Sequence, residues 1–360
     1  MSRRSWLPAY LGLVLIWGCS FLFNELALRS FSSIAVAFGR ISLGALTLVL
    51  VLVVLRQPVR LQRSQLFDLV VVAAILTALP FALIAFAQTR VTSILAGLLN
   101  ATTPLWVAIF VALLIPLERA TRQQRVGLVL GFVGIAVLLG VWNVDELDMV
   151  GVLAMLGATA CYGFGTAWMR WRLTDSSLSG ASLSAVQLVI ATALLLPLVS
   201  LGGAPDEIRP ESVVALIGLG VFGAGVAYVL FWRVVRGAGP TIAATVTYLI
   251  PLVSTTLGIV VLGEVLTWNQ PVGAVIALVG VALAQGLLGA RRTTATAEMP
   301  QRGTTRPRSQ KMPGSRPARA QSSRASGATR RAGEPRSRLA HVADRARPGT
   351  SQSGRGRHRA

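Results

Sequence analysis

Charge is scarce in this chain. Only 13% of its 360 residues are Asp, Glu, Lys or Arg, against roughly 25% in an ordinary soluble domain. Lysine occurs once, at Lys311, and both histidines, His341 and His358, fall near the C-terminus. With no other lysine, the chain cannot contain a G-x-x-x-x-G-K-[ST] phosphate loop, which argues against nucleotide hydrolysis. The apolar part holds no histidine and no nucleophile–base pair, so we expect neither an enzyme nor a cofactor. Cysteine is equally rare: Cys19 and Cys161 each lie in an apolar run without metal-ligand spacing, as packing residues do. No metal site is expected.

What the chain has instead is apolar surface, with 53% hydrophobic residues and a mean hydropathy of +0.64. Crossing a hydrocarbon core of about 30 Å takes about 20 helical residues. Runs of that kind occur at 9–28, 33–55, 66–87, 92–115, 124–142, 149–169, 181–201, 212–232, 239–262 and 270–290. The composition therefore predicts an all-α membrane protein with ten transmembrane helices. Arg3 and Arg4 lead into a run of full spanning length rather than the shorter core of a secretory signal, so 9–28 reads as the first span.

The stretch 94–139 recurs at 241–286. At an offset of 147 Ala96 matches Ala243, Pro104 matches Pro251 and Leu105 matches Leu252; after one deletion Glu118 matches Glu264, Gly127 matches Gly273 and Gly134 matches Gly280. Valines and alanines coincide by chance in greasy segments, but a proline, a glutamate and two glycines in order are a stronger sign of duplication. The predicted units are 1–142 and 147–290, five helices each, followed by 291–360.

Arginines flank alternate span ends: Arg3 and Arg4; Arg56, Arg60 and Arg63; Arg119, Arg122 and Arg125; Arg170 and Arg172; Arg233 and Arg236; Arg291 and Arg292. The positive-inside rule places these ends, and both termini, in the cytoplasm. An odd number of spans per copy turns the second copy upside down. Two inverted repeats are the arrangement from which many secondary transporters are built.

Several residues resemble the drug/metabolite transporter superfamily, in particular its EamA-type members with two five-helix repeats. The resemblance covers about residues 7 to 290 and rests on Trp17-Gly18 with Phe21, Arg40, Thr103-Pro104-Leu105, Glu118, Gly127 and Gly134. The second half echoes it in Tyr162-Gly163, Pro251-Leu252, Gly263-Glu264, Gly273 and Gly280. It departs from the pattern at Tyr162, in place of tryptophan, and at Gln187, which aligns with Arg40. The resemblance implies a bacterial inner-membrane permease that exports amino acids, metabolites or drugs.

Arg40 lies about two turns into the second span, where intramembrane charge faces a bundle interior or a watery cavity and has a partner. Glu25 is the expected partner. The two form a structural ion pair, or they serve substrate charge recognition or proton coupling; snorkelling of Arg40 is a third reading. Ser93, Ala96, Asn100 and Thr103 share one helical stripe beside Pro104, suited either to close packing or to a cavity shared with Thr247 and Tyr248. Aromatic side chains pack, face lipid, or wall such a cavity; Trp17, Phe21, Tyr162 and Tyr228, with Asn24, are the cavity candidates. Pro104 and Pro251 are candidate hinges, each freeing a backbone carbonyl. Glu118 and Glu264, just before a following helix, suit the positive end of a helix dipole.

From Thr293 onward the chain turns to Arg, Ser, Ala, Gly, Pro and Thr, a composition that builds no core and predicts a disordered tail. Fifteen arginines and Lys311 stand against three acids there, so the tail supplies +13 of the net +20. Anionic lipid headgroups are its natural partner at a membrane surface, and nucleic acid is a weaker one. The function expected is alternating-access transport of a small organic solute. The rival is a membrane scaffold acting through this tail.

Overall fold

The computed structural model describes residues 6–59, 61–115, 121–142, 147–173 and 178–286. Arg60, Glu118, Asp145, Glu146 and the basic tail lie outside the described residues. Among the described residues all regular structure is helical. The helices α1 (Leu7–Leu28), α2 (Ser33–Val54), α3 (Arg63–Gln88), α4 (Ser93–Leu114), α5 (Arg122–Leu139), α6 (Met149–Arg172), α7 (Gly180–Gly202), α8 (Pro210–Ala238) and α9 (Ile242–Leu262) are long and apolar enough to cross a membrane. A tenth, α10 (Asn269–Ala284), is apolar but shorter. Its 16 residues rise about 24 Å at 1.5 Å per residue.

The first four N–H groups of a helix have no partner within it. The sequence answers with side-chain caps: Ser32, Thr92, Thr121, Asp148 and Ser179 accept from the backbone N–H of Ala35, Leu95, Gln124, Gly151 and Ser182. Such caps contribute about 1 kcal/mol each. Asp148 also pairs with Arg90 at 3.1 Å. The Gly151 N–H, with Arg90 adding to it, holds the Asp148 carboxyl below the usual carboxylate range.

Contacts between helix ends fix the direction of each helix. Asn24 near the end of α1 meets Gln88 at the end of α3. Asp148 before α6 meets Arg90 after α3, and Leu26 accepts from Ser212 at the start of α8. Glu264 after α9 meets the start of α4, and Asn269 opening α10 meets Leu138 at the end of α5. One face of the bundle thus collects the ends of the odd-numbered helices and the beginnings of the even-numbered ones. Helix α1 runs toward this face and its counterpart α6 runs away from it, so the two repeats are inverted.

The packing obeys the same symmetry. Helix α1 packs on α9 and α8, and α6 packs on α4 and α3; α2 meets α8 as α7 meets α3. Gly18 in α1 would place a Cβ 2.4 Å from the Val253 side chain, and Gly163 in α6 would place one 2.4 Å from that of Trp106. Val253 and Trp106 occupy equivalent repeat positions, so the equivalence of Trp17-Gly18 with Tyr162-Gly163 read from the sequence holds in space. Helices α5 and α10 pack on each other along their length. A Cβ on Gly127 would lie 2.3 Å from the Ala284 amide nitrogen, on Gly134 2.3 Å from that of Ala277, on Gly273 2.1 Å from that of Leu138 and on Gly280 2.3 Å from that of Gly131. Small residues let membrane helices approach backbone to backbone, where dispersion replaces the missing hydrophobic drive.

Glu264 does not cap the helix that follows it, as its sequence position suggested. Its two carboxylate oxygens accept from Ser93 N and Ile94 N at 2.8 Å each, capping α4 in the other repeat. Gly263, at φ 68°, turns the chain back after α9. Gly258 leaves room for the carboxylate, since a Cβ there would sit 2.8 Å from it.

The glycine seam is tested by Gly280→Val, whose added carbons meet backbone that cannot yield. We expect a loss of about 3 kcal/mol, read as a lower unfolding temperature in detergent. Gly157→Ala, with its nearest neighbour at 3.6 Å, should leave that temperature unchanged. Glu264→Ala strands two amides and should cost about 2 kcal/mol, with faster hydrogen exchange at Ser93 and Ile94 as its local signature.

Candidate functional site

Helices α3 and α8 each contain one widened π-type turn, Ala74–Ala78 and Val221–Val226. The two begin 147 residues apart, the repeat offset. A π turn leaves carbonyls poorly matched to the helical ladder, and such turns recur at functional sites. Here the Gly223 carbonyl accepts from Trp17 Nε1 at 3.2 Å. Thr77, in the other turn, accepts from Gln187 Nε2 and lies beside the Tyr228 hydroxyl.

Around these turns α2, α3, α6, α7 and α8 enclose a polar cluster. Arg40 is only 8% exposed. Its guanidinium carbon lies 4.0 Å from the centroid of the Phe81 ring, with Tyr162 and Tyr228 as its electrostatic neighbours. Phe81 and Tyr162 meet edge to face at 6.3 Å. Inserting a central arginine costs about 2.5 to 3.5 kcal/mol, which a cation–π contact of about 2 kcal/mol offsets in part. Arg40 Nε is buried without a hydrogen-bond partner.

The expected pairing of Arg40 with Glu25 is not formed. Glu25 has Glu264 and Arg29 as its charged neighbours. Depth and direction explain the difference. Glu25 lies about 5 Å from the end of α1 and Arg40 about 10 Å from the start of α2, at 1.5 Å per residue, and the Arg40 side chain points toward α3, α6 and α8.

Of the other residues singled out in the sequence, Trp17, Tyr162 and Tyr228 join this central cluster. Phe21 is buried against the α4 backbone at Gly97. Asn24 is buried and donates to Gln88 Oε1 at 2.9 Å, while Gln88 Nε2 donates to the Phe21 carbonyl at 3.0 Å, a clasp between α1 and α3. Thr103 and Thr247 return hydrogen bonds to the carbonyls of Asn100 and Ala244. Asn100 is half-buried. Tyr248 donates to Gln285 just beyond α10. Helix α4 is interrupted at Ala101–Thr102, directly before Thr103-Pro104. In α9 the interruption falls at Thr245, and Pro251 sits inside the unbroken helix Val246–Leu262. Pro251 therefore does not mark a break as Pro104 does; an interior proline removes one donor, and the rest of the ladder persists on either side of it.

Sequence reasoning passed over Thr77, Gln88 and Asp68. Asp68 is buried near the start of α3 and accepts from Arg172 Nε at 3.2 Å and Trp168 Nε1 at 3.1 Å, both near the end of α6. The signal was available, since a carboxylate inside an apolar run needs a partner.

Comparison with known proteins agrees with this architecture. The EamA-like transporter family matches residues 4–140 and again residues 149–285. "Uncharacterized transporter YvbV" of Bacillus subtilis (strain 168) is 25% identical over 291 residues, 78% of this chain and 91% of that protein. "Uncharacterized inner membrane transporter YedA" of Escherichia coli (strain K12) is 25% identical over 305 residues, 82% of this chain and 97% of its own. A solved structure titled "Crystal structure of protein" shares the fold at a TM-score of 0.56 and 19% identity, covering 79% of this chain and all of that one. A polar cluster held between inverted repeats, each matched separately by one family model, identifies the chain as a multi-pass membrane transporter of the EamA-like transporter family.

Proposed function

We propose that the chain exports a small organic solute from a bacterial cytoplasm by alternating access, with both termini cytoplasmic and the solute held beside the π turns of α3 and α8. One observation carries this reading: the buried polar cluster lies where the inverted repeats meet, ringed by Trp17, Phe81, Tyr162 and Tyr228. A bundle that served only as an anchor has no use for an arginine in its centre. Secondary transporters place their sites near the midplane between repeats and rock one against the other. Inverted repeats support this reading because exchanging the roles of the two halves would give a second packing of equal kind, open toward the other side. Glu25, facing Glu264 across α1 and α9, is the carboxylate best placed for proton coupling. On this reading Asn100, Thr103, Thr247 and Tyr248 offer polar groups to the moving solute, and α4 and α9 flex at their interruptions, Ala101–Thr102 beside Pro104 and Thr245 ahead of Pro251.

Reconstituted into liposomes of defined composition, the full chain should move one class of small solute, and an imposed pH gradient should accelerate it. Thr77→Val removes the partner of Gln187 at the π turn and should slow transport by about ten-fold, the equivalent of about 1.4 kcal/mol. Glu25→Gln should abolish the response to the gradient while leaving downhill exchange in place; an unchanged response sinks the coupling role. A chain truncated after Arg292 should insert and transport as the full chain does. Loss of insertion or transport would favour the scaffold reading, in which the tail is the active part.

A further inference from the structure

Arg40 and Gln187 occupy equivalent positions in the two repeats, 147 residues apart, yet they are satisfied differently. Gln187 donates to Thr77 in the π turn of α3. Arg40 faces the corresponding turn of α8, which reads Val-Phe-Gly-Ala-Gly-Val and carries no side-chain acceptor. A Cβ on Gly223 would lie 3.9 Å from Arg40 Nη2 and 3.1 Å from Ser20 Oγ, so the turn comes close and itself offers only backbone there, beside a serine hydroxyl that donates to the Ile16 carbonyl. The Gly223 carbonyl is already taken by Trp17. Among the described residues no carboxylate pairs with Arg40, and its Nε is buried without a hydrogen-bond partner; the Phe81 ring and the tyrosines Tyr162 and Tyr228 are its neighbours.

A guanidinium presents its donors as a planar fork matched to a carboxylate. Buried charge in membranes pairs with another group, as Asp68 does with Arg172, or marks a site of recognition. The symmetry adds a sharper point, because in the other repeat this position is filled by a neutral amide whose donor is met within the protein, by a threonine.

On the reading that the cluster is the transport site, we infer that the solute is a small organic monoanion whose carboxylate seats on Arg40 and whose apolar body rests against Phe81, Tyr162 and Tyr228. One cation balances one negative charge, so a phosphate dianion is poorly matched. No carboxylate stands beside Arg40, among the described residues, to receive the ammonium of a zwitterion. The site therefore prefers a simple carboxylic acid to an amino acid.

The test uses matched pairs: benzoate with benzamide, 3-phenylpropanoate with 3-phenylpropanamide, and L-phenylalanine as the zwitterion. Binding is read as a rise in the unfolding temperature of the detergent-solubilised full chain, and transport as counterflow in proteoliposomes. The carboxylates should stabilise the protein and exchange, with the amides and phenylalanine at least about ten-fold weaker, as expected for one lost charge-assisted contact of about 1.4 kcal/mol. Arg40→Gln should erase the preference. Should that variant fail to fold, Gly223→Asp gives a second route, placing a carboxylate within reach of Arg40 to compete with the solute; it too should erase the preference. Equal binding of acids and amides, absence of binding by both, or an acid preference that survives in the folded variants would overturn the assignment. Acid binding without movement of any solute would instead overturn the transport reading and leave the anion site standing.

Discussion

A backbone amide in hydrocarbon must find its partner inside the protein, and most local decisions in this fold answer that constraint. The start of α4 shows it most clearly. Two of its N–H groups are served by Glu264, which belongs to the other repeat and lies 170 or more residues away in sequence. The contact ties the end of α9 to the start of α4 and so sets the two halves against each other. At the span ends, serine, threonine and aspartate caps serve the opening amides of α2 and α4 to α7. The same constraint explains the tryptophan that reaches from α1 to the loosened carbonyl of α8. The break in α4 is served from within, where Thr102 and Thr103 donate to the carbonyls of Leu99 and Asn100.

Much of this architecture was legible in the sequence because the repeat carries its own check. Pro104 with Pro251 and Gly127 with Gly273 fixed the register, and the odd number of spans then required inversion. The spans themselves emerged within a few residues, since apolar runs of that length have few other fates. The shortness of α10 was not visible: Leu287 and Leu288 extend the apolar run past the helix end at Ala284, and hydropathy does not see where a helix stops.

The site was harder to read, for a physical reason. Sequence depth is a one-dimensional measure, and it brought Glu25 and Arg40 together although their side chains leave their helices in different directions. Glu264 was assigned to its neighbour in the chain when its geometry serves a helix from the other half. Gln187 was noticed only as a departure at the position of Arg40, and its meaning needed Thr77 to be placed opposite. The π turns left no trace in apolar periodicity, because one extra residue per turn is invisible in a helix that is hydrophobic all round.

The seam of α5 and α10 has a consequence for how such a chain could arise. Gly127 meets Ala284 as Gly273 meets Leu138, so each half presents on its fifth helix the surface its inverted copy requires. A single five-helix ancestor inserted in both directions would already have assembled through this seam as an antiparallel pair. Joining the two copies in one gene fixes that pair permanently and frees each from having to resemble the other. An arginine on one side and a glutamine on the other is a difference that a self-paired ancestor could not have kept.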